Sequence, residues 1–156
     1  MNTTDWFTYQ LKASGEGLAW AVQQIPPERH TITPPAMSEW SVAHHIFHLL
    51  HYEQHRALPY LHHWLGGPAP DTSQLNENQD WKTHDQTLGT NQLLQEFQYL
   101  RAAQLTLLRR FTESDWLTIR DIGIPATLQW VVTKTYQHTL DHTNTILCLA
   151  LFWDFS

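Results

Sequence analysis

Apolar residues recur three or four positions apart in four segments of this 156-residue chain, and that spacing places them on one face of an α-helix. No segment keeps the alternation of apolar and polar residues that is typical of a half-buried strand. The four segments cover residues 5–24, 38–65, 90–111 and 127–152. They predict an all-α protein, an up-down four-helix bundle that forms a single domain over residues 1–156.

Residues that begin or interrupt helices mark the limits of these segments. A serine or threonine hydroxyl can accept a hydrogen bond from a free N–H of the first helical turn. The candidate caps are Ser38 or Ser41 for the second helix, Thr90 for the third and Thr127 for the fourth. Pro59 predicts a kink or a break inside the second helix. We expect a long loop at residues 66–89, with one short helical turn at most. We expect extended pieces at residues 119–124, but they are too few to form a sheet.

Composition excludes several classes of protein. The single cysteine, Cys148, excludes a disulfide framework and a paired-cysteine zinc or redox motif. A net charge of -6, with three lysines and no basic run, argues against nucleic acid as a partner. No apolar stretch reaches the roughly 20 residues that a membrane span needs. The first ten residues lack the basic and apolar regions of a signal peptide, so a cytoplasmic protein is expected.

Histidine is the residue type that stands out, with 11 in the chain and seven of them between His44 and His63. His138 and His142 are four apart within the apolar stripe of the fourth helix, so both imidazoles lie on one face, one turn apart. Imidazoles among aliphatic side chains need partners for their ring nitrogens. A shared metal ion is one solution. Two core histidines satisfied by hydrogen bonds are the simpler alternative.

A third metal ligand would come from the second helix, where four histidines at helical spacing lie on one side. They are His44, His48, His51 and His55. This stripe is either a solvated face or the wall of a cleft that faces the fourth helix. His48 is the best candidate by a narrow margin, and His44 competes with it. Glu53 lies in the apolar stripe, which predicts a partner such as an arginine or a histidine. The other histidines are interpreted as surface or loop residues: His30, His45, His62, His63 and His84.

Two separated motifs resemble a known family. They are WSVAHHIFHL at residues 40–49, with Glu53 after it, and HTLDH at residues 138–142. In this order, over nearly the whole chain, they resemble the DinB-like superfamily. The resemblance implies a four-helix bundle in which His48, His138 and His142 bind a divalent metal ion, usually Zn²⁺ or Ni²⁺. It also implies a homodimer and a relation to bacterial thiol-dependent S-transferases and isomerases. The chain departs from the family at position 44, where an acidic residue or glutamine is common and His44 stands here.

Three imidazoles leave coordination positions open, as in catalytic rather than structural zinc sites. An ion there can lower the pKa of bound water for hydrolysis, or hold a small thiol as thiolate. The resemblance favours the second, and so an enzyme that joins a low-molecular-weight thiol to a small electrophilic substrate. A hydrolase with Glu53 or His44 as the catalytic base is an alternative, and so is a metal-binding helical dimer without catalysis. Cys148 is not a candidate nucleophile, because it lies away from the two histidines of the fourth helix.

Overall fold

The computed structural model describes residues 1–33, 40–84 and 86–153. Its α-helices are α1 (Thr3–Gln23), α2 (Val42–Tyr52), α3 (Leu58–Trp64), α4 (Glu77–Thr83), α5 (Thr90–Leu108) and α6 (Leu128–Phe152). Its strands are β1 (Ile119–Asp121) and β2 (Pro125–Thr127). Short 3-10 turns lie at Pro27–Arg29 and Glu113–Leu117, and a π-helical turn lies at Glu53–Ala57. The predicted all-α architecture is confirmed.

Four helical units form the bundle, with α2, the π-helical turn and α3 acting as one unit. Both α1 and α2 pack against α5 and α6, so α1 and α2 occupy opposite corners. One core cluster joins the end of α1 to the start of α2, the start of α5 and the end of α6. A second cluster joins the start of α1 to α3, the end of α5 and the start of α6. Therefore α1 and α6 run in one direction, and α2, α3 and α5 run in the other.

The directions of the helices differ in one respect from a bundle in which each long helix runs antiparallel to the one before it. A short turn after α3 would make the next long helix antiparallel to it. The predicted long loop instead returns the chain to the end of the bundle where α2 begins, and α5 therefore runs parallel to α2 and α3. The loop contains one short helix, α4, whose seven residues make it longer than the single turn predicted, and α4 packs against α2. This crossover places loop residues beside the middle of α2.

Two of the predicted helix caps are confirmed. The Ser41 hydroxyl accepts from the N–H of His44 at 3.2 Å, and the Thr127 hydroxyl accepts from the N–H of Trp130 at 3.1 Å. The alternative cap, Ser38, lies outside the described residues. The prediction for Thr90 is wrong, because Gly89 already has the extended backbone that precedes a helix and its carbonyl accepts from the first turn. Thr90 is the first helical residue and is buried.

The predicted interruption at Pro59 takes the form of the π-helical turn. Proline has no N–H to donate to the preceding helical turn, and its ring crowds the carbonyl four residues earlier. The wider turn just before Pro59 accommodates this, with the N–H of Leu58 donating to the carbonyl of Glu53. The helix therefore continues from α2 into α3 without a loop. Glu53 and Arg56 both lie within this turn.

The extended pieces near residue 120 pair as an antiparallel hairpin. Arg120 lies opposite Ala126, and the turn contains Gly123 at a φ of 92°, a conformation that glycine adopts easily. With two strands, the hairpin is the smallest sheet that can form, and the architecture remains helical. It carries Ile122 and Ile124 to the edge of the cleft described below. Among the described residues, no helix has the length and apolar character that crossing a membrane requires.

Candidate metal centre

Three histidine side chains meet where α2 runs antiparallel to α6. His48 comes from α2, and His138 and His142 lie one turn apart on α6. Each offers one ring nitrogen to a group whose atoms all lie within 4.8 Å of one another. Nε2 of His48 is 2.8 Å from Nε2 of His138. The structure thus brings together the three residues that the family resemblance implies as ligands.

Two of the three rings have a partner on their other nitrogen. Nδ1 of His48 is 2.5 Å from Oε1 of Glu77 on α4, so this N–H donates to a carboxylate. Nδ1 of His142 is 2.8 Å from Nδ1 of His45 on α2, where one ring donates and the other accepts. Metal-binding histidines commonly have such a partner, because it sets the tautomer and the orientation of the ring. Nδ1 of His138 is buried with no hydrogen-bond partner in the described part of the chain.

Burial keeps the imidazoles of His138 and His142 neutral at physiological pH. It lowers the pKa of His138 to about 3 and that of His142 to about 4, and the neighbouring His48 adds to both effects. The pKa of His45 falls to about 3, again mainly through burial, with His142 contributing. A histidine must be neutral to offer a lone pair to a metal ion. The two histidines of α6 therefore have the protonation state that metal binding requires.

The donor set fits a divalent transition-metal ion. Imidazole nitrogens suit Zn, Ni, Cu and Fe. Tetrahedral zinc with bonds of about 2.0–2.1 Å needs ligand nitrogens about 3.4 Å apart. The separations in the cluster begin at 2.8 Å and stay within 4.8 Å, which spans that distance. Where two neutral Nε2 atoms face each other at 2.8 Å, at most one proton lies between them, whereas a shared cation satisfies both lone pairs.

The histidine stripe of the second helix is a partly covered wall and not a solvated face, since His51 is buried and the other three histidines are half-buried. The ring of His44 stacks on Trp40 and on Trp81, with both centroid distances at 4.3 Å. Nε2 of His51 is 2.9 Å from Oδ2 of Asp80 on α4. The two stacking contacts hold the ring of His44 beside the cluster. In the described part of the chain, His44 is not one of the histidines whose ring nitrogens converge.

Glu53 is a structural residue in this arrangement. Its side chain is fully buried, and its Oε1 accepts from Nη2 of Arg101 at 2.6 Å. Gln104 donates to the other oxygen, and Arg101 also donates to the hydroxyl of Thr139. The predicted arginine partner is therefore confirmed. With its oxygens engaged inside the bundle, Glu53 does not line the cleft, which argues against a role as catalytic base.

Two histidines that were interpreted as surface or loop residues are buried, and that interpretation is wrong for them. His45 is 5% exposed and His30 is 7% exposed. Nε2 of His30 lies 2.9 Å from the carbonyl of Ile25, which satisfies its ring. His45 follows Val42 by three residues and precedes Leu49 by four, so the apolar spacing of α2 already indicates its burial. No spacing in the sequence indicated that Glu77 and Asp80 contact the histidines of α2. The one local signal is Asn76, a capping residue that indicates the start of a helical turn there.

A cleft of about 670 Å³ opens beside the cluster and includes His48 and His138 in its wall. Its other walls come from α2, the π-helical turn, α3, the loop after α3, the hairpin and α6. Aromatic, aliphatic and charged side chains all contribute to the lining. The volume lies within the usual range for small-molecule pockets. A small molecule in this cleft would reach the imidazoles from the open side.

Comparison with known proteins gives a consistent assignment. No curated protein matches this chain. A crystal structure described as that of a conserved protein from Enterococcus faecalis shares the fold, with a TM-score of 0.62 and 16% identity over 100% of this chain and 99% of that one. The sequence profile of the DinB superfamily matches residues 10–146, a span that contains all three clustered histidines. With this match over most of its length, the chain belongs to the DinB superfamily.

Proposed function

We propose that this protein is a metal-dependent enzyme that activates a small thiol for transfer to an electrophile. His48, His138 and His142 would hold the ion, with Zn²⁺ or Ni²⁺ as the first choices. The observation that carries the proposal is the convergence of three imidazole nitrogens within 4.8 Å of one another beside an open cleft. A closed four-ligand structural site would need neither the cleft nor an open coordination position.

The side chains of this chain have separable roles in the proposed reaction. A bound divalent ion would supply the positive charge that keeps a thiol in its nucleophilic thiolate form at neutral pH. His48, His138 and His142 bind and position that ion, while Glu77 and His45 orient two of the rings. The thiol proton leaves to solvent through the cleft. The sulfur lone pair then forms the new S–C bond, and the leaving group departs with the electron pair of the bond it breaks.

The geometry favours thiol transfer over hydrolysis. A base beside the attacking water assists hydrolysis, and Glu53 and His44 are the two candidates for that base. Glu53 is engaged by Arg101 and Gln104, and the ring of His44 is stacked between two indoles. Neither residue lines the cleft. A thiol loses its proton more easily than water, because its ordinary pKa is about 8.5, so thiolate attack depends less on such a base than hydrolysis does.

Metal analysis of the protein, purified without a histidine tag, tests the first half of the proposal. We expect about one ion per chain, and we expect alanine at His48, His138 or His142 to remove most of it. Alanine at His55 or His62, which lie outside the cluster, serves as the matched control and should leave the metal content unchanged. Metal loss in His44→Ala with retention in His48→Ala would overturn the choice of ligand on α2.

Thiol binding tests the second half. Adding 2-mercaptoethanol to the Co²⁺-loaded protein should produce a sulfur-to-metal charge-transfer band in the near ultraviolet that saturates at one thiol per ion. Stoichiometric metal binding with no such band would retain the metal site and reject thiol transfer. The homodimer that the resemblance implies remains a prediction, and light scattering of the purified protein tests it.

A further inference from the structure

Two cationic side chains face the cleft on the side of the cluster away from the end of α6. Arg56 lies in the π-helical turn, and Lys134 precedes His138 by four residues on α6. Among the described residues, neither has an ion pair with a carboxylate. The ammonium of Lys134 lies 5.9 Å from the centroid of the Trp130 ring. Two positive charges without paired carboxylates thus share one cleft.

The acidic side chains of the cleft lie toward its other end. Glu77 is occupied by Nδ1 of His48. Asp141 follows Lys134 by seven residues, which corresponds to about 10 Å along the helix axis. The charges of the cleft are therefore segregated, with the carboxylates near the histidine cluster and the cations beyond it. The end of the cleft that holds Arg56 and Lys134 is therefore locally positive, and it favours a ligand group with a negative charge.

Apolar surface connects the histidines to the two cations. The rings of Tyr52, Tyr60 and Trp130 line the cleft, together with Ile122 and Ile124 of the hairpin. Aromatic and aliphatic walls of this kind suit a hydrocarbon or aromatic segment of a ligand. A molecule lying along the cleft would meet a metal-binding point, then an apolar stretch, then a cationic end.

From this arrangement we infer that Arg56 and Lys134 form a carboxylate-binding subsite for the substrate or the thiol. The step of four residues from Lys134 to His138 corresponds to about 6 Å of helix, which sets the scale of the distance from the metal-binding atom of the ligand to its carboxylate. The arginine fork can bind a carboxylate through two hydrogen bonds, and the lysine adds a mobile second charge. The inference rests on the proposed function, because it takes the metal site as the anchor for the other end of the ligand.

The test compares ligands that differ only in the charge of their far end. The Co²⁺-loaded protein is titrated with 6-mercaptohexanoate and with 6-mercaptohexanol, and the visible and near-ultraviolet bands report binding. A second pair, 6-(imidazol-1-yl)hexanoate and 6-(imidazol-1-yl)hexanol, replaces sulfur by a nitrogen ligand. In each pair we expect the carboxylate to bind about tenfold more tightly than the alcohol, in line with a charge-assisted hydrogen bond.

A double variant and its matched control locate the source of that preference. Arg56→Gln with Lys134→Gln should reduce the ratio of the two dissociation constants to about one, while binding of the alcohols stays the same. Lys12→Gln with Arg109→Gln removes the same charges from exposed positions that do not line the cleft and should preserve the ratio. Because all four positions are at least partly exposed, the variants should keep the fold, and circular dichroism checks this.

The outcomes separate this inference from the proposed function. Equal affinity for acid and alcohol in the wild-type protein would overturn the subsite, and so would a preference that survives in the Arg56 and Lys134 double variant. If only the imidazole-headed pair binds and shows the preference, the subsite stands and thiol transfer fails. If the protein takes up no Co²⁺, or the loaded protein binds none of the four ligands, both the subsite and the proposed function are rejected.

Discussion

The properties of an imidazole at a metal site depend on what its second nitrogen contacts. His48 donates from Nδ1 to Glu77, which leaves the lone pair of Nε2 for an ion. His142 has its Nδ1 beside His45, which leaves its other nitrogen available in the same way. Glu77 therefore acts as a positioning residue, although it lies in a loop 29 residues from the histidine that it orients.

Replacing Glu77 by glutamine should weaken metal binding by about 10–100-fold, the usual effect of losing a charged partner behind a metal-binding histidine. The amide can still accept a hydrogen bond, but it no longer favours positive charge on the ring. Competition with a chromophoric chelator at pH 7.5 measures the affinity. Glu96→Gln, an exposed position on α5, is the matched control. An unchanged affinity in Glu77→Gln would mean that the 2.5 Å contact has no part in binding the ion.

At the scale of the elements, a buried ion pair connects the π-helical turn to α5 and, through further hydrogen bonds, to α1 and α6. Arg101 donates to Glu53, to the carbonyl of Leu11, to Ser14 and to Thr139. Arg101 is 3% exposed and Glu53 is fully buried, so neither charge can be solvated if its partner is removed. This network lies in the same part of the bundle as the histidine cluster, because Thr139 is the neighbour of His138 on α6.

Arg101→Ala should lower the free energy of unfolding by about 3–5 kcal/mol, because it leaves the carboxylate of Glu53 buried without a cation. Urea denaturation of the metal-free protein at pH 7.5 measures the change. For comparison, Lys12→Ala breaks an exposed pair with Glu16 and should change the stability by about 0.5 kcal/mol or less. A loss below about 1 kcal/mol for Arg101→Ala would show that Glu53 finds other partners or takes up a proton easily.

For the whole molecule, the buried histidines make the stability of the metal-free protein depend on pH. The pKa values of His45, His138 and His142 in the folded chain are about 3 to 4, against 6.5 for an ordinary histidine. Below pH 6.5 the unfolded chain binds protons that the folded chain does not, so stability decreases as pH falls. It should be highest above pH 6.5 and decrease steadily toward pH 4, where the folded rings begin to titrate.

The free energy of unfolding should therefore fall as the pH is lowered from 7.5 to 5, a range that lies above the pKa values of most carboxylates. Denaturant unfolding curves at each pH measure it. His45→Gln should reduce the slope, since it removes one of the three groups. His62→Gln, at an exposed position, should leave the slope unchanged. A free energy of unfolding that stays constant over this range would contradict the burial of the three rings.

Metal binding should stabilise the whole fold, because two of the proposed ligands, His48 on α2 and His138 on α6, are 90 residues apart in sequence. An ion that binds only the folded chain adds about 4 kcal/mol at a thousandfold excess over its dissociation constant. The loaded protein should melt well above the metal-free protein at pH 7.5. The difference should narrow toward pH 5, because protons compete for the ligand nitrogens. Scanning calorimetry with and without Zn²⁺ measures it, and an equal melting temperature would return the histidines to a packing role.

The helices were predictable because the residues that a helix buries recur at a fixed spacing within its own segment of the sequence. An amphipathic helix carries its apolar stripe at fixed spacing, and a cap such as Thr127 depends on neighbours three residues away. The pair His138 and His142 was predictable for the same reason, since helical spacing alone puts both on one face. Burial of His45 was also readable from its position between Val42 and Leu49, although its contact with His142 was not.

The sequence by itself determined the helical class of this protein, the approximate limits of its helices and, through family motifs, the three histidines of the cluster. Only the tertiary structure decided the parallel course of α5, the placement of α4 on α2, and the partners of His48 and Glu53. Those features depend on where a long loop returns the chain and on contacts between side chains dozens of residues apart. No local spacing encodes such contacts, because they form only when the bundle packs.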